Sequence, residues 1–196
     1  DRRILPFVTV GIFMFLGFAL VQLIIAFRFQ DTLNLNGAQT AQVAGLSMMF
    51  SAAASLFTQM VVIPRLNVRP FILLRIALPM MIIAFAIMAV GETQLLLTLA
   101  MTILGLGLGL AGPGFMAGAS LAVSPQEQGA VAGIAGSCPP LGFTIGPLLG
   151  TFLYSIDPSY PYWFACFIYV ILAIFTLMAR EGRKPIAHSR TSASRS

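Results

Sequence analysis

The stretch at positions 129–151, GAVAGIAGSCPPLGFTIGPLLGT, places six glycines and three prolines in a segment otherwise as apolar as a buried helix. Both residue types weaken helices in water, glycine through its backbone freedom and proline through its missing N–H. In lipid the balance changes, because apolar helices gain nothing from hydrophobic association and glycine lets two backbones approach closely enough to pack. Gly142, Gly146 and Gly150 recur every fourth residue and make a smooth stripe along one helix face. Gly129, Gly133 and Gly136 make a second stripe, about half a turn out of phase at roughly 3.6 residues per turn. Pro139 and Pro140 lie between the stripes and deprive the Ala135 and Gly136 carbonyls of their usual partners; Pro147 does the same to Phe143. The expectation is a bent, closely docked membrane helix that shifts against its neighbours.

The rest of the chain supplies the membrane context. Of 196 residues, 58% are hydrophobic and 9% charged, with a mean hydropathy of +0.93, outside the range of ordinary soluble domains. Crossing the hydrocarbon core takes roughly 20 apolar residues. Uncharged runs of that length are predicted at about 4–27, 40–63, 71–90, 95–123, 129–155 and 161–179. None shows the alternation of a membrane β-strand, and helices satisfy their own backbone groups in lipid, so the predicted class is an all-α integral membrane protein. The first run is longer than a signal-peptide core and reads as a retained span. Position 1 is Asp rather than Met, and the expectation is a chain cut from something longer.

Six spans place both termini on one side. Arg2, Arg3, Arg65, Arg69, Arg75, Arg180, Arg183, Lys184, Arg190 and Arg195 would share that side, against Arg28 alone on the other. The positive-inside rule then predicts cytoplasmic termini. That distribution explains the net charge of +5 without nucleic acid. Residues 181–196, basic and rich in Ser, are expected to form a disordered cytoplasmic tail. Tyr154, Tyr160, Tyr162 and Trp163 cluster near Asp157 and are expected at the headgroup level on the outer side.

Chemistry-bearing residues are scarce. Cys138 and Cys166 fall inside separate spans, His188 is the single histidine, and all six acids lie in the loops or termini expected from the hydropathy pattern. No metal site or nucleophile–base pair is expected, nor an enzyme, and no phosphate-binding loop is present.

Gly133, eight residues, Gly142, three residues, Gly146-Pro147, two residues, Gly150 resembles the Gx8Gx3GPx2GG antiporter motif of major facilitator superfamily drug-efflux transporters, with Thr151 in place of the last glycine. The loop VVIPRLNVRPFILL, with Arg65 and Arg69 at basic positions, resembles the family's cytoplasmic GxLaDrxGrkxxl signature, although Pro64 takes the acidic position and Val68 that of the loop glycine. GLGLGLAGPGF followed by SPQEQGAVAG is similar to the family's tenth helix and the loop after it, and FRFQDTLNLNGAQTA to its seven-to-eight connection. The resemblance implies helices seven to twelve, the carboxy-terminal six-helix half, as two inverted three-helix repeats at about 4–90 and 95–179. It also implies alternating access, with substrate near the midplane.

On that basis the expected partners are the bilayer, a small-molecule substrate, and an absent amino-terminal half or a second copy. No cofactor is expected. A proton gradient would supply energy, its coupling carboxylate coming from outside this chain. The expected location is the inner (cytoplasmic) membrane, and the expected function proton-coupled efflux of small lipophilic compounds. Uptake of a sugar or organic acid is the alternative, favoured if Arg28, Gln22 and Gln59 converge on one cavity; a non-transporting sensor or assembly module is the alternative from another class. Candidate cavity residues are Gln22, Met48, Met49, Phe50, Phe115, Phe143 and Thr144, with Gln22 the leading one because a polar group in a span needs a partner or a wet cavity. An interhelical hydrogen bond would serve Gln22 equally. Arg28 is expected to snorkel to the headgroups, with pairing to Asp31 or to an anionic substrate as alternatives. Arg65 and Arg69 are expected to serve both topology and cytoplasmic gating.

Overall fold

A computed structural model describes residues 4–66 and 70–178, apart from the side chains of Pro6 and Phe71. Its helices are α1 (Leu5–Gln22), α2 (Ile25–Leu33), α3 (Gly37–Phe57), α4 (Ile63–Leu66), α5 (Pro70–Val90), α6 (Gln94–Leu121), α7 (Gln128–Ile156) and α8 (Tyr160–Met178). Among the described residues there is no strand. Six helical stretches there are long and apolar enough to cross a membrane: Phe7–Leu33, Gly37–Leu66, Ile72–Val90, Gln94–Leu121, Gln128–Ile156 and Tyr160–Met178. The chain is an all-α, multi-pass membrane protein. Arg2, Arg3, Arg69 and the expected basic tail lie outside the described residues.

The first span extends past the expected position 27, to Leu33. Arg28 and Asp31 stay within helix because partners on other helices receive them. The helical pattern lapses at Leu23 and Ile24, which keep right-handed torsions but fall between α1 and α2. Asn34, with φ 52°, then takes the left-handed conformation that asparagine tolerates and donates its N–H to Gln30 O. Two residues on, the Asn36 side chain accepts from Gln39 N while Gln39 Oε1 accepts from Asn36 N. This reciprocal cap starts α3, so only three residues, 34–36, separate two membrane helices.

Lower in the second span, residues Thr58–Val62 form a wide π-type turn in which Ile63 N–H reaches back to Thr58 O. Pro64 has no N–H to offer the carbonyl four residues earlier, which accounts for the widening.

The helices pack in a symmetric pattern. The main pairs are α1 with α7 and α8, α6 with α3 and α5, and α5 with α8. Exchanging spans one, two and three for four, five and six maps α1–α7 onto α6–α3 and α1–α8 onto α6–α5, and leaves α5–α8 in place. Three crossings per unit reverse the second unit, which makes the repeat inverted.

Glycine sets the closest contacts. On α6, a methyl at Gly105 or Gly109 would collide with the Ser51 or Ser55 carbonyl of α3, one at Gly107 with Met81 of α5, and one at Gly118 with Phe7 of α1. On α7, a methyl at Gly142 would lie 2.6 Å from the Phe15 carbonyl carbon, one at Gly146 2.8 Å from Ala19 Cβ, and one at Gly150 against the Leu20 carbonyl oxygen. The stripe at Gly142, Gly146 and Gly150 is therefore the docking face toward α1. Gly129, Gly133 and Gly136 are different: a methyl there would meet nothing within 4 Å. The expected second contact stripe is an open face in this structure.

Candidate functional site

A cleft of about 260 Å3 opens where spans one, two and five meet, lined by Ala19 and Gln22 of α1, Leu23 at the lapse in helix, Met48 of α3, and Phe143 and Pro147 of α7. Its position follows from the α1–α7 packing. Gly142 and Gly146 bring the two backbones together on one side, while Phe143, one residue along, projects to the other and meets Phe18 edge-on at 6.0 Å between ring centroids. Beyond this tight contact α1 loses its regular pattern, and the cleft sits at that end.

Gln22 is the one polar side chain in the lining. Its amide makes no hydrogen bond to the described residues, so the interhelical bond that would have explained it structurally is not formed. Every other lining group is apolar. The cleft thus offers an adaptable thioether, an aromatic edge and a single amide able to donate and accept.

The other sequence candidates fall elsewhere. Phe115, expected in the cavity, is fully buried, stands edge-on to Phe15 and fills the space over Gly11; it is a packing residue of α6. Met49 and Phe50 are exposed on α3 outside the cleft. Thr144 is exposed, does not line the cleft, and returns its hydroxyl to Pro140 O at 2.8 Å. Gln59 donates to Ser55 Oγ at 3.2 Å on its own helix. Gly133 makes no close contact. Arg65 is exposed on α4, and Arg69 lies outside the described residues.

At the end of the bundle where α2 meets α5, Arg28 forms no ion pair among the described residues. It is half-buried and donates from Nη2 to Ala89 O at 2.9 Å and Gly91 O at 3.3 Å, the carbonyls at the end of α5. A cation at a helix C-terminus is favoured by the helix dipole and by its orphan carbonyls. Arg75, read from sequence only as a topology signal, does the same for α8, with Nε and Nη2 donating to Thr176 O at 3.3 and 3.2 Å. Tyr162, near the start of α8, is fully buried within the bundle, with Arg28 6.0 Å from its ring centroid.

Sequence reasoning did not single out Tyr169. Its hydroxyl donates to Met14 O at 2.6 Å and its ring meets Phe85 at 5.2 Å, which ties α8 to α1 and α5. A tyrosine in mid-span was the available signal, since a buried hydroxyl needs an acceptor.

The groups on hand allow binding and positioning. Among the described residues no three His, Cys, Asp or Glu side chains gather as metal ligands do. A comparison with curated proteins finds no significant match. The family model described as Major Facilitator Superfamily matches residues 3–195, in keeping with six apolar helices arranged as an inverted pair of three. The chain belongs to the Major Facilitator Superfamily, a family of transporters.

Proposed function

We propose that this chain is the carboxy-terminal six-helix half of a proton-coupled exporter of small lipophilic molecules, and that the cleft at Gln22 is its share of the cargo site. The observation that carries this reading is the unpartnered Gln22 amide in an otherwise apolar lining. A polar group held in the membrane without a protein partner is costly unless water or cargo supplies one. The matching cargo has an apolar body and one hydrogen-bonding group.

No acid lines the cleft, so a proton-coupling carboxylate would come from a second six-helix unit, either an amino-terminal half or another copy. The antiporter-like pattern at Gly142, Gly146, Pro147 and Gly150 supports export. Uptake of a sugar or organic acid is less well supported, because Arg28 and Gln59 are engaged elsewhere and do not converge with Gln22.

The test is flux of a lipophilic dye in proteoliposomes under an imposed pH gradient, using the chain alone and the chain joined to an amino-terminal half. Gradient-driven export by the joined form, reduced by Gln22→Leu, is the expected result. Accumulation of a sugar or carboxylate instead, or dye flux indifferent to the gradient, would overturn it.

A further inference from the structure

The outer end of the bundle holds four polar side chains that this conformer satisfies unevenly. Asp31 of α2 accepts a hydrogen bond from the Tyr154 hydroxyl of α7 at 2.7 Å, and the Tyr154 ring lies 6.3 Å from that of Phe27. Arg28 spends Nη2 on the two carbonyls at the end of α5. Its Nε is buried and has no partner among the described residues, and neither does the buried Tyr162 hydroxyl. Arg28, Asp31, Tyr154 and Tyr162 lie within electrostatic reach of one another. A buried donor without an acceptor is costly, and two in one cluster call for a physical reason.

Asp31 stands three residues after Arg28, the spacing at which helical side chains meet. The pair is not formed here because each member is held by a different helix. Asp157 is the other acid within reach of Arg28, but its carboxylate accepts from Ser159 N and Oγ. Asp31, whose Oδ2 accepts from Tyr154 here, is thus the acceptor left for the orphaned donors.

We propose that Asp31 is a two-position latch, bonded to Tyr154 of α7 in this conformer and to Arg28 Nε and the Tyr162 hydroxyl when the outer end of α7 withdraws. The bond to Tyr154 and the two unsatisfied donors pull the carboxylate in opposite directions, which makes its position sensitive to where α7 stands. The lapse at Leu23 and Ile24 lets α2 follow α7 without dragging α1 from its glycine contacts. The latch goes beyond the export reading, since it operates whichever way cargo moves.

Spin labels on cysteines placed at Thr32 and Ser155, in the full chain in lipid nanodiscs, report the spacing between the ends of α2 and α7. The native thiols Cys138 and Cys166 are buried. Tyr154→Phe, which keeps the ring against Phe27, should populate a longer distance by about twofold or more, the factor that loss of one hydrogen bond supplies. Adding Asp31→Asn to Tyr154→Phe should shrink that longer population again, because the pairing with Arg28 is lost. Elution as a single species shows separately that each variant folds. A distance unchanged by Tyr154→Phe, or an Asp31→Asn that is silent in the Tyr154→Phe background, would overturn the latch and leave Asp31 as a fixed partner of Tyr154.

Discussion

Helices α6 and α7 are the two glycine-rich spans, similar in length, yet the bundle treats their glycines differently. The α6 glycines at 105, 107, 109, 114 and 118 each meet a neighbour, spread over α3, α5 and α1, so α6 is a central strut with contacts on several sides. On α7 only Gly142, Gly146 and Gly150 are docked, all against α1, while Gly129, Gly133 and Gly136 face open space. Glycine content alone does not distinguish a helix whose glycines are docked along its length from one whose glycines are docked along only half of it. What distinguishes them is whether the glycine face has a backbone opposite it.

Aromatic truncation should break this contrast most sharply. Phe115 of α6 is 0% exposed and Phe143 of α7 is 43% exposed. Phe115→Ala should destabilise the bundle by about 3–5 kcal/mol through the cavity it leaves. Phe143→Ala should leave thermal unfolding in detergent nearly unchanged while altering which cargoes compete for transport. Equal losses of stability would mean that α7 is as locked as α6.

Glycine substitutions come next in size. Gly105→Ala drives a methyl into the Ser51 carbonyl, where overpacking costs about 1–3 kcal/mol. Gly133→Ala meets nothing within 4 Å and should stabilise α7 by up to about 1 kcal/mol through helix propensity. If Gly133→Ala abolishes transport while raising the unfolding temperature, its open face is used by a partner during the cycle. If it destabilises the isolated chain, the face is not open.

Gln22→Leu should leave stability unchanged and weaken apparent cargo affinity by about tenfold, the loss of one hydrogen bond in a dry site. The effect should be confined to cargo that carries a hydrogen-bonding group. An equal loss for a purely apolar cargo would remove Gln22 from the site.

The smallest effect lies at the end of α7. Hydrogen bonds from the Ser159 hydroxyl and N–H hold the Asp157 carboxyl below its usual range. A depressed folded pKa contributes stability above the unfolded value, and that contribution is lost as pH falls through the folded value. Ser159→Ala should therefore move the Asp157 titration up toward the ordinary carboxylate range, near pH 4. The variant's stability deficit should be present at neutral pH and absent in acid. Carbon-13 titration of the aspartate carboxyls reads this directly.

The all-α membrane class was legible because a run of some 20 apolar residues has few other solutions. The stripe at 142, 146 and 150 was legible as a docking face because spacing by four places side chains on one side of any helix. Gln22 was singled out by its polarity, and it lines the cleft. Phe115 was misplaced for a physical reason. Hydropathy reports how apolar a position is, and lipid, protein core and cleft wall are all apolar. Only the neighbours tell them apart.

Composition and spacing by themselves determined that this chain crosses a membrane as six helices and that α7 has one face smooth enough to pack, since both follow from local geometry and transfer energy. Which glycines were docked, which aromatic reached the cleft, and that Arg28 would close the end of α5 while Asp31 turned to Tyr154, were decided by the tertiary structure. Those outcomes depend on which backbone carbonyls and hydroxyls other helices bring within hydrogen-bonding distance, and residues 61 or 123 positions apart leave no periodic trace in the sequence.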